Sequence, residues 1–171
     1  MKKILFLFLL FILVYGCTDK TIKSYSYEQN ATILKIIDGD TYLISLNGAE
    51  EKVRLLGIDC PDIEKDRMDN FLYLGLSKEK IKYCYEKGKK ELEILLLKNV
   101  TLISDPLEMH RDSYNRLLRY VEFNNTDIEI WLLERGYARF YDYRPYCKRC
   151  VKYQNLYADT VNSRSGCLWN R

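Results

Sequence analysis

The sequence predicts an α+β fold, with strands gathered early in the chain and helices interspersed later. Three observations carry this. Two turn signals, Asp38-Gly39 and Asn47-Gly48, follow each other closely enough to make a three-stranded meander. An apolar stripe recurs at helical spacing between residues 79 and 98. Two further apolar runs flank a charged loop, and no repeat or regular βαβ alternation points to a parallel α/β sheet.

In chain order, the meander comprises Ala31 to Ile37, Thr41 to Leu46, and a third strand that ends near Ile58. Asp62 to Ser77 is polar and then apolar with no clear period, so it reads as a loop. From Glu79 to Lys98 the stripe Ile81, Tyr85, Gly88, Leu92, Leu95 makes an amphipathic helix. Asn99 to Ser104 and Arg116 to Phe123 are two more strands, separated by a loop holding Asp105, Glu108, Arg111 and Asp112. Thr126 followed three residues later by Glu129 reads as a capping box, and Gly136 as a stop, giving a helix from Asp127 to Arg135. A last helix runs from about Arg149 to Val161, for a total of five strands and three helices.

The 171 residues hold 27 Lys+Arg against 24 Asp+Glu, a net charge of +3, and one histidine, His110. Clustered-histidine chemistry is excluded, and hydrolysis must run on carboxylates, arginines, tyrosines or cysteines. Lys2 and Lys3 precede eleven apolar residues, Ile4 to Val14, the pattern of an export signal and too short to span a bilayer. Val14-Tyr15-Gly16-Cys17 resembles the lipobox of prokaryotic lipoproteins, which would make Cys17 the lipidated N-terminus. The expected organisation is a signal peptide over 1–16, a tether over 17–30, and one domain over 31–171, lipid-anchored at the membrane and facing outside the cytoplasm, or secreted. An ordinary secretory signal or an uncleaved anchor, with Cys17 incidental, also places the domain outside the cytoplasm. Without its leader, the chain carries 25 basic against 24 acidic residues, so net charge gives no argument for a nucleic-acid partner.

Taken alone, Asp38-Gly39-Asp40-Thr41 is a hairpin turn, yet a turn does not require Asp40. A second acidic group follows in Arg54-Leu55-Leu56-Gly57-Ile58-Asp59-Cys60-Pro61-Asp62, where Arg54 interrupts an apolar run. If the first hairpin folds beside the third strand, Asp40 and Asp59 converge and offer oxygens to one hard cation, calcium or magnesium. A third piece, Asp112-Ser113-Tyr114-Asn115-Arg116-Leu117-Leu118, puts a second arginine at a strand start, where a lone Arg116 would read as an edge charge.

As a set, in order and with compatible spacing, these segments and the terminal Gly166-Cys167-Leu168-Trp169 resemble the staphylococcal-nuclease-like, or thermonuclease, family over about Ala31 to Trp169. The resemblance implies a five-stranded OB-type β-barrel with three helices. It also implies calcium-dependent hydrolysis of phosphodiester bonds in DNA and RNA, leaving 3′-phosphate ends. Asp40 and Asp59 match the metal carboxylates, Cys60 the position whose backbone carbonyl completes the site, and Arg54 and Arg116 the paired guanidiniums. Asp62 falls where the family usually has a water-activating glutamate; Glu64 stands nearby as an alternative acid. Tyr114, Tyr141 and Tyr143 match substrate-contacting tyrosines, while Ser113 and Asn115 replace a lysine and a glycine common in the family.

Between Tyr137 and Tyr153, aromatic residues alternate with Arg139, Arg144, Lys148, Arg149 and Lys152, a composition that suits stacking of unpaired bases and favours single strands, or else core packing with a solvated face. A monomer with no protein partner is the expectation. Besides Cys17 there are five cysteines, an odd number, with Cys60 the candidate free thiol. Cys147-x-x-Cys150 reads as a structural clip; a redox or zinc module built on it, and a catalytically weak nucleic-acid- or protein-binding domain on the same barrel, are the competing readings.

Overall fold

The computed structural model describes residues 26–142 and 147–170. The signal peptide, Cys17, most of the tether, and Tyr143 lie outside the described residues. No helix among those described is long and apolar enough to cross a membrane.

Five strands close into a barrel: β1 (Glu28–Ile36), β2 (Thr41–Leu46), β3 (Ala49–Leu55), β5 (Asn99–Ile103) and β6 (Leu117–Phe123). The pairs β1–β2, β2–β3, β1–β5 and β5–β6 are antiparallel, and a parallel pairing of β3 with β6, Val53 opposite Leu117, closes the ring. This is the mixed, OB-type α+β barrel expected. Ile33, Ile44, Val53, Leu55, Leu102 and Val121 are buried in its core. At the β2–β3 turn, Asn47 and Gly48 have φ of 53° and 82°, the left-handed pair that a two-residue hairpin needs.

Several boundaries differ from expectation. The last three residues assigned to the tether, Glu28 to Asn30, pair with Ile103 to Thr101 as the start of β1. The third strand stops at Leu55 rather than near Ile58. Gly57 has a φ of 74° and lies so close to Tyr153 that a Cβ would stand 2.8 Å from its ring, and this bend releases β4 (Ile58–Asp59). After it, the expected loop contains α1 (Lys65–Leu72), with Phe71 buried and Leu72 packed on the core. Eight residues are too few for a helical period to stand out.

The long helix is α2 (Lys78–Leu92), capped by the Ser77 side chain on the Lys80 N–H, with a 3₁₀ turn over Glu93–Leu95. Its buried residues include Cys84 as well as Ile81, Gly88 and Leu92, whereas Tyr85 is only half-buried. Asp127, at the end of the two-residue strand β7 (Thr126–Asp127), caps α3 (Ile128–Glu134) by accepting from the Ile130 N–H at 2.9 Å. The expected capping box does not form, because Glu129 is drawn into the core, where it accepts from the Val121 N–H at 3.1 Å. β8 (Arg139–Phe140) pairs with β4, and α4 (Cys150–Asn162) and α5 (Gly166–Trp169) complete the chain.

Disulfides join Cys84 to Cys167, fastening α2 to α5, and Cys147 to Cys150, closing a clip at the start of α4. Among the described residues, Cys60 is the buried free thiol.

Candidate active site

Register brings the distant acidic segments together. Thr41 on β2 lies opposite Arg54 on β3, so the residue before Thr41 stands at the end of β3. The Leu55 N–H donates to the Asp40 carbonyl at 2.9 Å, and the Cys60 N–H to Asp40 Oδ2 at 2.6 Å. Gly39 is needed for this closure more than for its turn: a Cβ there would stand 2.7 Å from Cys60 Cβ and 2.8 Å from its sulfur. Asp38 Oδ1 in turn accepts from the Asp40 N–H at 3.0 Å, an Asx turn that fixes the loop.

Arg54 is buried and bridges the two carboxylates, with Nη1 2.9 Å from Asp40 Oδ1 and Nη2 3.3 Å from Asp59 Oδ1. Arg139 holds the other oxygen of Asp59, with Nε at 2.9 Å and Nη2 at 2.8 Å, because β8 pairs Arg139 directly opposite Asp59 on β4. Arg116 is aimed by Asp112: Oδ2 accepts from its Nε at 2.7 Å and Oδ1 from its N–H at 2.9 Å. Its Nη1 donates to Thr41 Oγ1 at 3.3 Å, and the Thr41 hydroxyl donates to Asp40 Oδ1 at 3.2 Å. Both guanidiniums are thereby tied to the same carboxylate.

Burial pushes the Asp40 carboxyl up to about 7; Arg54 counters it, while the charge of Asp38 adds to it. Asp59 is raised by burial and then by Asp40, against the pull of Arg54 and Arg139. The Cys60 thiol is pushed well up by burial and by Asp40. Burial also works against ionised Asp112, but its bonds from Arg116 hold it below the usual carboxylate range.

Converging buried carboxylates of this kind attract positive charge. Their oxygen-only chemistry fits a hard divalent cation such as calcium, and a thiol held neutral at Cys60 would leave that residue only its carbonyl to offer. No group of three or more His, Cys, Asp or Glu side chains suited to hold an ion occurs among the described residues, so backbone oxygen and water would complete the shell.

Beside the carboxylates opens a cleft of about 410 Å³, lined by Asp38, Thr41, Asp62, Glu64, Tyr114 and Arg116, with Lys52 and Tyr85 at its walls. Asp62 Oδ1 accepts from the Glu64 N–H at 3.0 Å, so the two candidate acids share one turn. Tyr114 is 76% exposed, and the Arg116 guanidinium lies 5.4 Å from its ring.

Arg54, Asp59, Asp62, Tyr114 and Arg116 fall within a match to the family described as staphylococcal nuclease homologue, over residues 52–171, and Asp40 precedes it. The chain belongs to that family. Among its relatives, an uncharacterized protein of Methanocaldococcus jannaschii is 30% identical, over 99% of this chain and 95% of its own. Endonuclease YncB of Bacillus subtilis is 31% identical over 83% of this chain, and a thermonuclease of Staphylococcus hyicus 25% over 71%. The chain spans 65% of the length of each of these last two.

The structure thus links Asp40, Arg54, Asp59 and Cys60 by direct contacts, and places Asp62, Tyr114 and Arg116 in the adjoining cleft. Tyr141, 40% exposed, donates its N–H to the Gly57 carbonyl at 3.0 Å. Between Tyr137 and Tyr153, four of the residues read as suiting base stacking or core packing are otherwise engaged. Tyr137 and Tyr153 are buried, Arg149 pairs with Asp127 and Glu122, and Arg139 is spent on Asp59. Core packing accounts for the two tyrosines and ion pairs for the two arginines. Sequence reasoning missed the bracing of Asp59 by Arg139, which depends on a two-residue strand pairing with no periodic signal. The Asp112–Arg116 contact was legible in principle as an acid four residues before the arginine.

Proposed function

We propose that this chain is a calcium-dependent endonuclease that hydrolyses phosphodiester bonds of DNA and RNA and leaves 3′-phosphate ends. The observation that carries the proposal is the linkage of Asp40, Asp59 and Arg54 to one another and, through Thr41, to Arg116, which lines the adjoining cleft. The names of the Bacillus and Staphylococcus relatives support the same class of reaction.

In this reading Asp40 and Asp59, with the Cys60 carbonyl, would hold the calcium ion, which when bound supplies compensation for phosphoryl charge and a site for ordered water. Arg54 and Arg116 donate to the equatorial oxygens of the phosphoryl group as their negative charge grows. Being permanently charged and pre-aimed by Asp40, Asp59 and Asp112, they need no proton transfer and little reorganisation. Asp62, which lines the cleft, takes the proton of the attacking water; it is one methylene shorter than glutamate, and about 1 Å of displacement can cost about a hundredfold in rate. Tyr114, Tyr141 and Tyr143 contact the substrate. The domain is exported as a monomer, its residues 1–16 the leader and Cys17 the lipidated anchor at the membrane.

The test is cleavage of single-stranded DNA and RNA by the purified protein, with calcium and then with chelator. Chelator-sensitive cleavage, reduced about a hundredfold or more by Arg54→Ala or Arg116→Ala, is the expected result. Retained oligonucleotide binding without cleavage would instead assign a binding module on the same barrel.

A further inference from the structure

We propose that Lys52 and Tyr85 form a second substrate subsite, which seats one unpaired nucleobase on the Tyr85 ring and the neighbouring, non-scissile phosphate on the Lys52 ammonium. This rests on the nuclease reading and deepens it, because it assigns the substrate class as a single-stranded polynucleotide reaching past the scissile bond.

Lys52 and Arg54 stand two apart on β3, so their side chains leave the same face about 7 Å apart along the strand. Val53 lies opposite Leu117 in the parallel pairing, which sets Lys52 level with Arg116. Arg54 is engaged by Asp40 and Asp59, and Arg116 by Asp112. Lys52 is exposed at the cleft wall and makes no ion pair with any described residue. A cation at the mouth of a cleft, next to two guanidiniums and unneutralised, is placed for a further phosphate.

Tyr85 reaches the same cleft from α2, on a different element from Tyr114. Lys89, one turn further along α2, stands 5.7 Å from the Tyr85 ring centroid and donates to the Ile37 carbonyl at 2.7 Å. That bond ties the helix to the strand end carrying the acidic loop, so the ring is held in place before any ligand arrives. A half-buried ring in a concave wall accepts a base that has left its stack, and not a base inside a duplex.

The experiment measures anisotropy of a labelled ten-nucleotide single strand titrated with the full-length protein in chelator, where no cleavage occurs. Tyr85→Leu is expected to weaken binding about tenfold, while Tyr85→Phe retains it. Lys52→Gln is expected to lower the slope of log affinity against log salt by about 0.7, one phosphate contact on a single strand. Tyr83→Leu, on the opposite side of α2 with its own partner Lys87, should bind as the unmodified protein does. A blunt duplex of the same length should show no difference among the four variants. Unchanged single-strand binding in Tyr85→Leu and Lys52→Gln, equal losses in Tyr83→Leu, or no binding by the unmodified protein would each overturn the subsite. Binding losses as expected, with no calcium-dependent cleavage by the unmodified protein, would retain the subsite and refute the nuclease reading; cleavage with unchanged binding would do the reverse.

Discussion

Arg139 closes on a single oxygen of Asp59, with Nε at 2.9 Å and Nη2 at 2.8 Å, while Arg54 faces the other oxygen at 3.3 Å. Asp59 is thereby fixed between two guanidiniums on different strands, and the Arg139 charge lies 5.4 Å from the ring of Phe71, the anchor of α1. Removing Arg139 leaves a mostly buried carboxylate with half its compensation. Arg139→Ala should destabilise the protein by about 2 kcal/mol in chelator, with the penalty shrinking to under about 1 kcal/mol in an Asp59→Asn background. Urea unfolding of the four proteins in that cycle measures the coupling; additive losses would mean that the pair is not energetically linked.

Glu129 gives a pH dependence of defined sign. Burial, and then the charge of Asp127, raises its carboxyl well above the ordinary glutamate value. A raised folded-state pKa contributes stability that is fully present below the unfolded value of about 4.3 and is lost as pH rises through the folded value. The unmodified protein should therefore lose stability relative to Glu129→Gln as pH climbs above about 4.3. Denaturant unfolding at a series of pH values checks this, and a difference that stays flat with pH would show that Glu129 does not titrate with folding.

The two disulfides should contribute unequally. Cys84 and Cys167 are 83 residues apart, Cys147 and Cys150 only 3. In the loop-entropy account, the long closure is worth about 4.5 kcal/mol and the short one about 2 kcal/mol. Replacing the first pair by serine should lower the thermal midpoint clearly more than replacing the second, as read by calorimetry under oxidising conditions.

Gly39→Ala probes the closure of the acidic loop. The added methyl meets Cys60 at 2.7 Å, and relief requires the Cys60 N–H to move off Asp40. The expected outcome is about 1–3 kcal/mol of destabilisation, together with weaker calcium binding in a calorimetric titration of the folded protein. Calcium binding equal to that of the unmodified protein would separate the loop from the ion.

Much of this arrangement was legible in the sequence, and the residues show why. The meander, the long helix and the later strand pair follow from periods of two and 3.6 and from Asn47-Gly48, whose left-handed backbone local chemistry dictates. Asp40, Arg54, Asp59 and Arg116 stood out because charge inside or beside an apolar strand has to be explained. Elements too short to show a period were not legible: α1, and the β4–β8 pair that delivers Arg139 to Asp59. Composition could not separate base stacking from core packing between Tyr137 and Tyr153, where Tyr137 and Tyr153 serve the core and Arg149 pairs with Glu122 and Asp127. Glu129 matched a capping pattern, but tertiary burial overrode it, because its carboxyl meets the Val121 N–H in the core.

The most direct test of the account is single-turnover hydrolysis of a single-stranded oligonucleotide by the unmodified protein and by Arg54→Ala, each with calcium and with chelator. The account predicts cleavage that leaves 3′-phosphate ends, stops in chelator and falls about a hundredfold or more in Arg54→Ala. Cleavage that persists undiminished in Arg54→Ala, or that ignores chelator, would contradict it.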